Sequence, residues 1–318
     1  MFNTDIIHFL QQFDFPVLYW FMVFISILGT TPIILTIVLG ITFGIDFKKG
    51  LVLVNIIAWT ALLTTTLKHQ VDFPRPLDID QSINSNYFQA TDTDISALLP
   101  QSFFESFSAE LLNQTRNDNS DHYGFPSGHA AIQVALWMGL VFLFKKRWIA
   151  ILGIVIVVLT LISRMYIGHH FLGDVLGGAA LGLIVSFLLI LLVRKSKYLH
   201  EISHQFTSFS ILWVPAILIP FVNYIPLWIL GSMVGLNVSA VLIILQKNFP
   251  VFHVILWKRV LSALIALFLI LASVYLNMQI DYSASPFLEL LIISVINFIV
   301  IIGAVSISNR LNLIRFRF

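Results

Sequence analysis

From Trp148 to Ser163 the chain carries no charged side chain. Similar apolar runs recur from end to end, separated by short charged or turn-forming stretches. About 20 apolar residues suffice for a helix to cross a bilayer. Inside lipid every backbone N–H and C=O must be bonded within the chain, so such runs are helices. We place the runs at roughly 15–29, 31–46, 50–67, 127–144, 148–164, 171–193, 209–225, 227–246, 258–277 and 287–307. The first two are short, and residues 6–28 can also be read as one long helix entering through the interface. Charged residues are only 11% of the chain, against about 25% in soluble domains. Too few polar side chains remain to cover a water-exposed surface. The expected fold class is therefore all-α, a polytopic membrane helix bundle.

The net charge of +2 gives no polybasic character and argues against a nucleic-acid partner. The chain has no Cys, which excludes disulfides and thiolate chemistry. The start, MFNTDIIHFLQQF, lacks the basic region and small-residue cleavage site of a signal peptide and is expected to stay on the protein.

One long polar interruption runs from Leu77 to Tyr123 and is rich in Asp and Glu. Within it Ile95, Leu98, Leu99, Phe103, Phe107 and Leu111 fall at helical spacing. Either an amphipathic helix lies on the membrane surface there, or a small packed cap covers the bundle.

The basic residues set the sidedness. Lys48 and Lys49, Lys145 to Arg147, the Arg194 to Lys197 stretch, Lys247 with Lys258 and Arg259, and Arg310 to Arg317 hold 14 of the 18 Lys and Arg. With ten spans these clusters share one face, which the positive-inside rule makes cytoplasmic. Lys68, Arg75, Arg116 and Arg164 fall on the other face. A basic residue at a span end can be a snorkelling anchor, but ionisable groups near hydrocarbon more often mark a site when they gather.

Three of these four gather with other reactive groups. Lys68 precedes Arg75-Pro76, Pro126-Ser127-Gly128-His129 opens the fourth span, and Ser163-Arg164, His170 and Asp174 join the fifth to the sixth. All three segments reach the same predicted face. Two guanidinium forks and an ammonium suit a group with several anionic oxygens. A helix start at Ser127-Gly128 adds free N–H groups, and glycine lets the backbone come close. Phosphate is the natural occupant. His170 and Asp174 are one helical turn apart, so the carboxylate can fix the imidazole tautomer and sharpen the other nitrogen as a nucleophile. His129 remains as the acid for the leaving oxygen.

These segments resemble the three signature motifs of the type-2 phosphatidic acid phosphatase superfamily, whose pattern is K-x6-R-P, P-S-G-H and S-R-x5-H-x3-D. No position departs from it. The resemblance implies that His170 is the nucleophile, Asp174 its orienting partner, and His129 first the acid and then the base for water. It implies that Lys68, Arg75, Ser127, Gly128 and Arg164 hold the phosphate. It further implies a six-helix core and no metal or other cofactor. That core maps to residues 1–197. Residues 198–318, with about four more spans, lie outside the resemblance; a dimer interface, a lipid-entry wall or a separate domain are the roles open to them.

The other histidines are read more plainly. His69 and His169 are interface polarity, His122 could line the pocket mouth, and His8, His200, His204 and His253 are solvated near the cytoplasmic side. No His, Asp or Glu cluster has metal-ligand spacing. The expected function is a lipid phosphatase at the non-cytoplasmic face of a bacterial cytoplasmic membrane. Its substrate would be an isoprenyl diphosphate, phosphatidylglycerophosphate, phosphatidate, sphingoid phosphate or lipid A type lipid. The alternatives are a phosphotransferase using the same phosphohistidine, with a lipid or sugar acceptor, and a non-enzymatic transporter or scaffold.

Overall fold

The structure is a computed structural model that describes residues 1–84, 94–116, 123–195, 225–245, 249–252, 255–280 and 285–317. The run at 209–225, apart from its last residue, and His122, His200, His204 and His253 lie outside the described residues. The chain is mostly helical. Its helices are α1 (Asp5–Gln11), α2 (Pro16–Ile27), α3 (Thr31–Gly44), α4 (Phe47–Val71), α5 (Ala109–Arg116) and α6 (Gly128–Phe144). They continue as α7 (Arg147–Tyr166), α8 (Leu172–Lys195), α9 (Leu227–Leu245), α10 (Leu256–Met278) and α11 (Pro286–Arg310). Among the described residues five helical segments are long and apolar enough to cross a membrane: Phe47–Asp78, α7, α8, α10 and α11. The pair α2 and α3, bent by 50°, adds a sixth when taken as one span, while α6 and most of α9 are shorter apolar helices. The chain is a multi-pass membrane protein.

By contact the chain divides into two units. This grouping cuts through α4 and α8, whereas the division at 197 follows motif coverage. The first unit holds Met1–Thr30 and Leu63–Ser186. Here α7 packs against α1, α2 and α6. Gly178 and Gly182, four residues apart on α8, face the start of α6: a Cβ on either would strike the backbone oxygen of Ser127 or Ala131. Small residues at this spacing let helix backbones touch. The α7–α8 joint turns at Gly168, whose φ of 74° suits glycine.

In its described residues, 77–84 and 94–116, the polar interruption packs as a cap and not as one surface helix. Ile79, Leu99, Phe107, Leu111 and Phe171 form a buried cluster with Phe2, Phe73 and Ile95 against it. A single helix through 95–111 is blocked by Pro100, because the residue before a proline avoids the α region. Leu99 is indeed extended, at ψ 147°, ending a short 3-10 turn at Ser96–Leu98.

α1 corrects an expectation. Ile7 packs with Leu77, Ile83, Met165 and Val175, and Gln11 donates to the Tyr166 carbonyl at 2.8 Å. The N-terminal segment therefore sits at the motif-bearing ends of α4 and α7. His8 is not a solvated residue of the opposite face: its Nε2 lies 2.8 Å from Asp80 Oδ2. Lys48 and Lys49 stand at the far end of α4, so the bent pair α2–α3 fits one crossing where the apolar pattern reads two.

The second unit holds Thr31–Leu62 and Phe187–Phe318. α10 packs against α3 and α11, and α11 against α9. A two-stranded antiparallel ribbon, β1 (Phe249–Phe252) with β2 (Ile314–Arg317), departs from the all-helical plan and pairs Phe249 with Arg317. Inside this unit Asn55 of α4 and Asn237 of α9 exchange amide hydrogen bonds of 3.0 and 2.9 Å.

Candidate active site

Each motif sits where a helix begins or ends, in the first unit. Lys68 lies in the last turn of α4. Beyond it the chain leaves the helix, and Arg75 is extended (φ −91°, ψ 159°), as a residue before proline should be. The Arg75 backbone N–H donates to Asp78 Oδ2 at 2.8 Å. Ser127 is the N-cap of α6 and makes no side-chain cap bond, so the first-turn N–H groups of α6 are not served by it. Arg164 is in the last turn of α7, His170 in the joint, and Asp174 in the first turn of α8, where a carboxylate is favoured.

Five backbone and side-chain bonds draw these pieces together. The Lys68 ammonium donates to the Tyr123 carbonyl at 2.6 Å, and Gly124 N–H donates to the Phe73 carbonyl at 2.6 Å, which ties the first motif to the second. Ser127 N–H donates to the Asp174 carbonyl at 2.9 Å, which ties the second to the third. His170 Nδ1 lies 3.3 Å from Asp174 Oδ2, and the same oxygen accepts the Phe171 N–H at 2.9 Å. With Nδ1 turned to the carboxylate, Nε2 is the nitrogen with a free lone pair.

Burial and charge act together on the joint. Burial holds the His170 imidazole well below its ordinary value, and the positive charges of Arg164, Lys68 and Arg75 push the same way. His169 is lowered by burial, then by Arg164, Arg75 and His129. Both imidazoles are therefore neutral near pH 7. The same couplings place Lys68, Arg75, His129, Arg164 and His170 in one electrostatic neighbourhood, so the structure brings the sequence-selected residues together.

The cluster has an excess of donors. Among the described residues Arg75 Nε, Arg164 Nε and Ser127 Oγ are buried polar atoms without a protein partner, as is the acceptor Asp174 Oδ1. Buried donors left open cost free energy, and an anion with several oxygens would satisfy them. At Gly128 a Cβ would meet only Thr64 Cγ2 at 3.8 Å and Lys68 Cε at 3.9 Å, ordinary contacts. Packing does not demand glycine there, and the open space leaves room for a ligand to come close to the backbone.

Three contributors carry no motif. Arg164 Nη1 donates to Ser26 Oγ at 2.7 Å, and Nη2 lies 2.9 Å from His169 Nδ1. Ser163 Oγ donates to the Met22 carbonyl at 2.6 Å. Gly29 lies against the His129 ring. His169 thus pairs with a site arginine and is more than interface polarity. No local signal marks Ser26 or Gly29, because their partners lie far along the chain.

Residues 49–198 match a family model described as the PAP2 superfamily. Over 74 residues the chain is 35% identical to a lipid A 4'-phosphatase of Bacteroides thetaiotaomicron, covering 23% of this chain and 33% of that protein. Over 93 residues it is 40% identical to phosphatidylglycerophosphatase B of Bacillus subtilis, covering 25% and 46%. Over 66 residues it is 44% identical to an undecaprenyl-diphosphatase of Sulfolobus acidocaldarius, covering 21% and 32%. The matched stretches thus span less than half of each of these relatives. A crystal structure of the first transmembrane PAP2 type phosphatidylglycerolphosphate phosphatase, from Bacillus subtilis, aligns with a TM-score of 0.44 at 26% identity, over 60% of this chain and 84% of that one.

Proposed function

We propose that this chain, whose residues 49–198 belong to the PAP2 superfamily, is a membrane phosphatase that hydrolyses a phosphomonoester or diphosphate lipid through a phosphohistidine. The observation that carries the reading is the buried set of open donors, Arg75 Nε, Arg164 Nε and Ser127 Oγ, beside a neutral His170 backed by Asp174. Donors aimed at a shared anion in a dry site stabilise developing charge with little reorganisation.

In the first step His170 Nε2 attacks phosphorus, the bond from phosphorus to the lipid oxygen breaks, and that oxygen takes a proton from His129. In the second step a water oxygen attacks phosphorus, His129 accepts the proton, and the phosphorus–nitrogen bond breaks. Orthophosphate leaves and His170 is neutral again. Lys68, Arg75, Arg164 and the α6 N-terminus neutralise the equatorial oxygens in both steps. Asp174 keeps the Nδ1 proton in place throughout.

The relatives act, by name, on lipid A, phosphatidylglycerophosphate and an undecaprenyl diphosphate. The substrate class we assign is what these share, an anionic phosphate on a lipid. Charge sidedness supports a site on the non-cytoplasmic face of a bacterial cytoplasmic membrane. The phosphatase core is assigned to residues 1–197, with 198–318 as a membrane extension.

The test is phosphate release from dispersed lipid phosphates by the full chain in detergent, with chelator present, joined to acid-quench trapping of phosphoenzyme. The wild type should release phosphate. His170→Ala should lose at least about 10⁴-fold of the rate and all phosphoenzyme. Unchanged turnover in that variant would overturn the mechanism. Transfer of the phosphoryl group to added alcohol in preference to water would make the enzyme a phosphotransferase.

A further inference from the structure

The segment from Met22 to Thr30, the end of α2 and the turn after it, precedes the matched stretch and contains no motif residue. We propose that it is the positioning wall of the phosphate site, with Ser26 setting Arg164 and Gly29 setting His129. The proposal rests on the phosphatase reading above.

Arg164 is held from two sides before any ligand arrives. Ser26 Oγ accepts from Nη1 at 2.7 Å, and neutral His169 presents Nδ1 to Nη2 at 2.9 Å. One residue earlier, Ser163 Oγ bonds the Met22 carbonyl, so α7 is fixed to α2 one turn away from Ser26. Nε keeps its proton free. A free arginine side chain carries about 2 kcal/mol of rotamer entropy. Anchoring two of its nitrogens in advance removes much of that cost from the binding of phosphate and from the transition state.

His129 is set by a close approach. A Cβ at Gly29 would lie 2.7 Å from His129 Cδ2 and 3.4 Å from Cγ, so the ring rests against the Gly29 α-carbon. One turn along α6, Gln133 donates to the Leu28 carbonyl at 2.8 Å and accepts from Trp137 Nε1 at 3.0 Å, which holds that turn against the helix. Any side chain at position 29 must push the imidazole. Gly40 provides a control, since a Cβ there meets nothing within 4 Å.

The two positioning roles leave different signatures. Loosening Arg164 weakens charge stabilisation for every substrate. Displacing an acid hurts only where the leaving oxygen needs a proton, which is little for a phenolate and much for an alkoxide. The experiment compares the full chain in detergent on p-nitrophenyl phosphate and dioctanoyl phosphatidate, with vanadate as a probe of the phosphate subsite.

Ser26→Ala should lower kcat/KM about tenfold on both substrates and weaken vanadate binding similarly, while Ser26→Thr restores both. Gly29→Ala should lower kcat about 100-fold on the phosphatidate but only a few-fold on the phenyl ester, with vanadate binding retained. Gly40→Ala should match the wild type. Equal losses on both substrates together with lost vanadate binding in Gly29→Ala would overturn the His129 assignment, because that is the mark of general collapse. Wild-type behaviour in Ser26→Ala would overturn the Arg164 assignment. A wild type inactive on every lipid phosphate would instead overturn the phosphatase reading itself.

Discussion

The two units bury polar groups in opposite ways. In the first, the buried polar groups of the three motifs are charged or nucleophilic, and Arg75, Ser127, Arg164 and Asp174 each leave one atom unpartnered. In the second, those of the described residues are neutral and nearly all served within the unit: Asn55 with Asn237, Ser262 with Ser308 at 3.0 Å, and Thr42, Thr60, Ser239 and Ser273 each with a carbonyl of its own helix. Trp59, with an open Nε1, is the exception there. Mutually satisfied amides and hydroxyls hold membrane helices together. Donors left open in a dry pocket cost stability, and the natural compensation is a ligand. The contrast supports the proposal of chemistry in the first unit and cohesion in the second.

The contrast is broken most severely at Asp174. In Asp174→Asn an amide oxygen in the place of Oδ2 can still accept from both the Phe171 N–H and His170 Nδ1–H, but the negative charge beside the imidazole is gone. The imidazolium that forms when Nε2 takes up phosphorus then lacks its counter-charge. A fall of about 10³-fold in kcat is expected, with the helical fold and melting point near those of the wild type. A loss of less than tenfold would mean that the carboxylate does not stabilise the charged imidazole.

Gly128 gives a smaller effect of the same kind. Its Cβ position is sterically open, so Gly128→Ala should fold normally. The added methyl occupies the space through which phosphate reaches the α6 backbone. KM for a lipid phosphate, and the inhibition constant for orthophosphate, should rise by about tenfold or more. An unchanged inhibition constant would remove the backbone from the phosphate site.

The second unit should answer in stability instead. Asn55→Leu or Asn237→Leu alone strands one buried amide and should cost about 0.6–2 kcal/mol. The double variant should recover most of that, since neither amide is then left alone. Turnover per folded molecule should stay at the wild-type level in all three, as followed by thermal unfolding in detergent beside phosphate release. A turnover defect in the double variant would put catalysis in both units and erase the contrast.

The motif residues were legible because their chemistry is carried by residue type: Lys68, Arg75, Arg164, His129, His170 and Asp174 are costly to place at a membrane boundary. The helices were legible for the same reason in reverse, since uninterrupted apolar runs have few alternatives. What sequence spacing did not carry is contact between distant positions. Ser26 and Gly29 are ordinary residues in an apolar helix and turn, and their significance comes only from Arg164 and His129 lying beside them. The cap was legible only as one of two alternatives. Helical spacing of its apolar residues was read across Pro100, and the proline was the stronger signal. His8 was assigned to the wrong face because α2 and α3 were counted as separate crossings.

His8 also supplies the mildest prediction, one that extends the contrast to the edge of the first unit. Asp80 is buried, which by itself would raise its carboxyl, but bonds from Ser82, His8 and Thr4 outweigh that and hold it below its ordinary value. A carboxyl lowered by folding stabilises the native state above its unfolded value, 3.8, and loses that contribution as pH falls through the lower folded value. The pair joins a buried carboxylate to a partly exposed imidazole, so solvent screening keeps its share below about 1 kcal/mol. Asp80→Asn should therefore melt slightly below the wild type at pH 7. The gap should narrow as the pH is taken well under 3.8. A gap that is constant with pH would show that Asp80 holds α1 by shape and neutral hydrogen bonding, and that the only charges of consequence in the unit are those around the phosphate site.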